Sequence, residues 1–253
     1  MGDRLGAITD DTQMTLFTAE GLLRAVCRGS PKGSCDPSGV LHHAYARWLE
    51  TQGVRKGCGG VMRAAPAGMI RWGDPFELGR DLAAITHGHP TGFLAAGCLA
   101  LLVHEILEGR SLPDAVATTL GRLMTQPHHQ ECLAAIDAAA AAWQSGAPPS
   151  AETVERLGKG WVAEEALAIG LYSALAAGDD FAAGVRLAVN HGGDSDSTGA
   201  IAGNLLGALL GVHAIPKPWL EALELRDEIS AVADDLLTRF RADPEWGDRY
   251  PPW

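Results

Sequence analysis

Apolar residues recur at three- and four-residue spacing along most of the chain. The pattern predicts helices over Thr12–Arg28, Pro37–Thr51, Pro75–Thr86, Thr91–Glu108, Leu112–Thr125, His128–Gln144, Val162–Ala176, Asp180–Asn190, Ser197–Val212 and Pro218–Arg241. Ala and Leu, strong helix formers, fill their interiors. Gly, Pro and Asp punctuate the gaps, as in Gly73-Asp74-Pro75 and Gly146-Ala147-Pro148-Pro149. No run alternates apolar and polar positions with β-branched enrichment over strand length, so the expected class is all-α. None of the gaps has the composition of a domain linker, and residues 1–253 are expected to form one domain. The segment from Asp243 to Trp253, with Pro244, Pro251 and Pro252, reads as an irregular tail.

The helix beginning at Ser197 carries Gly199, Gly203, Gly207 and Gly211 on one stripe. Each glycine costs up to ~1 kcal/mol of helix propensity relative to alanine, so the stripe predicts close approach of a second helix. The expected architecture is a compact orthogonal multi-helix bundle with this glycine-rich helix at its centre.

Composition narrows the function. Hydrophobic residues make up 47% and charged residues 20% of 253 positions, which suits an ordered globular chain. A net charge of −11 disfavours a nucleic-acid backbone or an anionic membrane as a general partner. The five cysteines (Cys27, Cys35, Cys58, Cys98 and Cys132) form no CxxC pair, which argues against a zinc knuckle or disulfide framework and fits a reducing cytoplasm. The opening Met1-Gly2-Asp3-Arg4 lacks the apolar core of a signal peptide. The apolar stretch from Gly199 to Ile215, broken by Asn204 and His213, reads as a buried helix rather than a membrane span.

The chemistry concentrates in two acidic clusters near opposite ends of the chain. Thr9-Asp10-Asp11-Thr12 precedes the first helix, and Gly192-Gly193-Asp194-Ser195-Asp196-Ser197 precedes the glycine-rich one. Carboxylates and hydroxyls at a helix start are also ordinary caps, which suffices as a reading of the first cluster taken alone. Capping accounts for one Asp of the second cluster, not for the set. Such hard oxygen ligands suit Mg²⁺ or Mn²⁺, and the two clusters make a two-metal site if the fold brings them together.

Together these segments resemble the ADP-ribosylglycohydrolase family, whose members carry an early Thr-Asp-Asp-Thr and a late Gly-Gly-Asp-x-Asp-Ser/Thr. Between them, Gly57-Cys58-Gly59-Gly60-Val61-Met62-Arg63-Ala64-Ala65-Pro66 resembles the family's glycine-rich segment, and Thr86-His87 its Thr-His element. The resemblance implies an all-α fold and a binuclear centre of two Mg²⁺ or Mn²⁺ ions. Thr9, Asp10, Asp11, Asp194, Asp196 and Ser197 would be the metal ligands. Gly57, Cys58, Gly59, Gly60 and His87 would line the ADP-ribose site. The implied reaction releases ADP-ribose from an ADP-ribosylated protein or small molecule, with Asp10 or Asp11 accepting the proton of the attacking water. Cys58 stands where the family commonly has Asn. Only eight residues precede Thr9, so a family helix and a Glu near the metals are expected to be missing. An inactive ADP-ribose-binding or crystallin-like structural role is the alternative; a metallohydrolase acting on phosphates is a third reading. Arg63 is expected to be structural. His89, His42-His43 and His128-His129 carry no acidic spacing that assigns them to a metal.

Overall fold

A computed structural model of the protein describes residues 8–32, 35–52, 59–70, 72–238 and 244–251. Among these residues there is no strand, and the class is all-α. The helices are α1 (Asp10–Lys32), α2 (Pro37–Gln52), α3 (Ala65–Met69), α4 (Pro75–Ala84), α5 (Pro90–Leu107), α6 (Leu112–Leu123) and α7 (Gln130–Gln144). They continue with α8 (Ala151–Arg156), α9 (Ala163–Ala177), α10 (Phe181–Val189), α11 (Ser195–Leu210), α12 (Lys217–Ala222), α13 (Arg226–Thr238) and α14 (Pro244–Arg249).

The hydrophobic core divides into two clusters. The larger joins α5, α9, α10 and α11 through Leu94, Leu99, Leu102, Leu167, Ile169, Phe181, Ile201 and Leu205. The smaller joins α1 and α2 through Leu22, Leu23, Leu41 and Trp48, and reaches Met62, Leu236, Trp246 and Tyr250. Each fully buried Leu or Ile contributes on the order of 1.5–3 kcal/mol. Helix α5 is apolar nearly all round, with Pro90 at its start and His89 as its cap. Its 18 residues have a mean hydropathy of 1.6, but 72% of them are buried inside the fold, as a core helix requires.

Three expectations need correction. The glycine stripe of α11 is not its packing face. That helix packs on α9 and α10 through Ile201, Ala202, Leu205 and Leu206. A side chain at Gly203 or Gly207 would meet nothing within 4 Å, and only Gly199 is crowded, by Val189. The single helix expected over Pro218–Arg241 is two, because Leu223 is extended and Leu225 adopts φ 55°. No Gly or Pro marks that break. The expected irregular tail contains α14, and Trp246 and Tyr250 are only 3% exposed. Trp246 donates its indole N–H to Cys27 Sγ, and the Tyr250 hydroxyl donates to Asp235 at 2.7 Å. Three prolines hid a short helix held by tertiary contacts rather than propensity.

Candidate active site

The N-terminus of α1 carries the first cluster. Its first turn contains Asp10 and Asp11, and Gln13 N–H donates to Thr9 O at 3.1 Å. Thr9 Oγ1 donates to Asp11 Oδ2 at 3.2 Å, so this hydroxyl orients a carboxylate. Just before it, Ile8 N–H donates to Glu224 Oε2 at 3.2 Å, tying the entry of α1 to the link between α12 and α13. Thr15 Oγ1 donates to Asp11 O at 2.7 Å and lies 3.4 Å from Met62 O.

The second cluster opens α11 and is shaped by the loop before α9. A Cβ on Gly193 would lie 1.9 Å from Lys159 O, and that carbonyl accepts Asp194 N–H at 2.8 Å. Glu165 in turn accepts the N–H groups of Lys159 and Gly160, at 2.8 and 3.2 Å. From the other side, His191 Nδ1 accepts Gly193 N–H at 3.1 Å, which leaves its proton on Nε2 for Thr198 Oγ1 at 3.0 Å. Asp194 occupies the cap position of α11 but makes no capping bond with its side chain. Capping therefore does not explain the second cluster.

The two helix starts converge. Asp10, Asp11 and Asp196 each place a carboxylate oxygen within 4.8 Å of the others'. Asp194 and Ser197 are buried beside them at 3% and 2% exposure. The Ser197 hydroxyl touches Met62 Sδ at 3.7 Å, so Met62 contacts both arms. The Asp11 carboxyl is raised from 3.8 to about 7, chiefly by burial and then by the neighbouring charges of Asp196 and Asp10. The Thr9 and Ser197 hydroxyls offset part of this. Asp11 Oδ1 is buried and has no hydrogen-bond partner. A buried carboxylate with an orphaned oxygen, clustered with two more carboxylates, fits hard divalent cations, which would supply the missing ligand and the missing positive charge.

A cleft of about 590 Å³ is lined by Gly59, His87, His89, Thr91, Gly92, Glu131, Trp161, Val162, Ala163 and Glu164. A small cavity shares Gly59, Trp161, Val162 and Ala163 with it and extends to Asp194 and Ser197. The cleft and the acidic cluster are therefore adjoining parts of one site. Of the expected cleft residues, Gly59 and His87 line it. Gly60 is buried behind them, where a Cβ would lie 2.5 Å from Ala83 Cβ. Gly57 and Cys58 lie outside the described residues. Arg63 is buried at 2% exposure and donates to Tyr45, to Thr86 and to Leu82 O, the structural role expected of it.

Sequence reasoning missed Met62, Trp161, Glu131, Glu164 and Glu165. The available signal was Gly158-Lys159-Gly160-Trp161, two glycines at φ 129° and 75° leading to a 65% exposed tryptophan.

Residues 2–245 match the ADP-ribosylglycohydrolase family model. The chain is 28% identical over 263 residues to the ADP-ribosyl-[dinitrogen reductase] glycohydrolase of Rhodospirillum rubrum, covering 92% of this chain and 79% of that protein. A shorter stretch of 59 residues is 44% identical to the ADP-ribosylarginine hydrolase Tri1 of Serratia proteamaculans, 23% of this chain and 16% of that one. A solved structure titled ADP-ribosylglycohydrolase-related protein complex superposes with a TM-score of 0.71 at 32% identity, over 92% of this chain and 82% of its own. The chain belongs to the ADP-ribosylglycohydrolase family, and with it to the hydrolases.

Proposed function

We propose that the protein is a metal-dependent hydrolase that releases ADP-ribose from an ADP-ribosylated acceptor. The observation that carries this reading is the convergence of Asp10, Asp11 and Asp196, with a buried orphan oxygen on Asp11, beside a ligand-sized cleft. Thr9, Asp10, Asp11, Asp194, Asp196 and Ser197 form the ligand set for two Mg²⁺ or Mn²⁺ ions. Such a pair, when bound, orients ribose hydroxyls and acidifies water.

The chain's own residues do the rest. Asp10 or Asp11 accepts a proton from the attacking water as the water oxygen bonds to ribose C1 and the bond from C1 to the acceptor breaks, and the departing acceptor atom takes up a proton in its place. His87 faces the diphosphate with a hydrogen-bond donor, and the start of α5, at Thr91 and Gly92, adds the positive end of a helix dipole. The largely exposed Trp161 offers an aromatic face.

Glu131 and Glu164 line the same cleft, and Glu164 Oε2 is buried without a hydrogen-bond partner. Carboxylates so placed suit a cationic, guanidinium-bearing acceptor. The test is release of ADP-ribose from arginine-linked and serine-linked peptides. Metal-dependent release from the arginine linkage supports the reading. Tight ADP-ribose binding with no turnover of either peptide would replace it with a binding role.

A further inference from the structure

Behind the cleft a hydrogen-bonded chain leads from Arg63 through Thr86 to His87. The Arg63 guanidinium is anchored on three sides. Nε donates to Tyr45 OH at 3.0 Å, the group stacks 4.4 Å from the Tyr45 ring centroid, and Nη1 lies 3.9 Å from Met14 Sδ. Its remaining nitrogen, Nη2, donates to Thr86 Oγ1 at 2.6 Å and lies 3.4 Å from Leu82 O. Thr86 Oγ1 lies 2.9 Å from His87 Nδ1.

The direction of the last bond follows from proton bookkeeping. Thr86 Oγ1 accepts from Arg63, and its own proton has two possible acceptors. One is Ala83 O at 3.3 Å, which already accepts the N–H groups of Thr86 and His87 at 3.1 and 3.0 Å. The other is His87 Nδ1, which is closer. A hydroxyl polarised by a guanidinium is a stronger donor, and it goes to the closer and less crowded acceptor. The imidazole is then neutral with its proton on Nε2. Burial and then the Arg63 charge hold the His87 pKa below its ordinary value, partly offset by the Ala83 carbonyl, in agreement with the neutral ring. The Nε2 atom lies on the Gly59 side, where a Cβ on that glycine would be 3.9 Å away, and both residues line the cleft.

We propose that Arg63 and Thr86 are positioning residues that fix His87 in its Nε2–H tautomer, so that the cleft receives one oriented hydrogen-bond donor for an anionic ligand oxygen. That donor can be neither lost to tautomer exchange nor turned into an acceptor while the chain is intact. The other ionisable groups around the ring are His89, Glu131 and Glu164, all lining the same cleft. The identity of the ligand oxygen rests on the ADP-ribose reading; the tautomer does not.

The test uses the full chain labelled with ¹⁵N-histidine. Long-range ¹H–¹⁵N correlation reads the His87 tautomer, with the signal assigned by its loss in His87→Gln. The wild type is expected to carry the proton on Nε2. Thr86→Val, at an exposed position, is expected to lose that preference and to weaken ADP-ribose binding by about tenfold, while Thr86→Ser retains both. A wild-type proton on Nδ1, or an unchanged tautomer in Thr86→Val, overturns the proposal. The wild-type measurement decides the point even if Thr86→Val does not fold. An Nε2–H ring in a protein that does not bind ADP-ribose leaves this proposal standing and removes the functional reading instead.

Discussion

Asp11, in the first turn of α1, and Asp196, in the first turn of α11, bring carboxylate oxygens within 4.8 Å of each other although they stand near opposite ends of the chain. Two like charges at that separation, one of them buried, oppose folding unless a proton or a cation compensates them. The pairing therefore has a cost that a structural role would not require, and its consequences are measurable.

The first concerns pH. The Asp11 pKa is raised from 3.8 to about 7 in the folded, metal-free protein. Between those values the native state holds a proton that the unfolded state has lost, so stability falls as pH rises. The loss reaches on the order of 4 kcal/mol by neutral pH. Urea unfolding in EDTA is expected to show this decline from about pH 4 to about pH 7, as the two pKa values require. Asp11→Asn should flatten it. Added Mn²⁺ should restore stability at pH 7 in the wild type and not in Asp11→Asn.

Gly193 is the tightest point of the second arm. A Cβ there would meet the Lys159 backbone carbonyl, which no side-chain rotation relieves. Gly193→Ala is expected to cost about 2 kcal/mol or more in denaturant unfolding and to weaken metal binding, because Asp194 must shift. Gly203→Ala, a substitution facing open space, should stabilise α11 by up to about 1 kcal/mol.

Trp161 is 65% exposed beside the cleft, so removing it should disturb binding rather than folding. Trp161→Ala is expected to leave the thermal midpoint nearly unchanged. It should raise the Kd for ADP-ribose by about tenfold, the equivalent of ~1.4 kcal/mol of lost stacking. Calorimetry on the two proteins checks both halves.

The C-terminal helix makes the opposite prediction. Trp246 is 3% exposed and hydrogen-bonded to Cys27 on α1. Trp246→Ala is expected to cost about 3–5 kcal/mol in urea unfolding. A cost below about 0.5 kcal/mol, the range of ordinary surface substitutions, would show that α14 does not dock as described.

Much of this was legible before the fold was known. The helical class followed from spacing, and the metal-ligand candidates followed from the resemblance of both acidic clusters to a known family, the second cluster alone exceeding what capping needs. What stayed hidden depends on partners distant in sequence. Nothing local in Pro244–Arg249 announces a helix, because its stability comes from Cys27 and Asp235. Leu225 turns the chain without a glycine. The stripe of α11 suggested close packing, but apart from Gly199 its glycines are open, and the tight approach to α11 is made by Gly170 of α9 against Ile201 and Gly184 of α10 against Leu206. Met62 reads as a core residue from sequence, and only the fold reveals that it touches both arms of the site.

The proposed function requires the paired acidic clusters to bind two divalent cations. Its most direct test is titration of the metal-stripped protein with Mn²⁺, followed by electron paramagnetic resonance. Saturation at two ions per chain with the spin-coupled signal of a binuclear centre is expected, and both should be abolished in an Asp11→Asn, Asp196→Asn double variant. Mn²⁺ binding by the wild type no stronger than by that variant would contradict it.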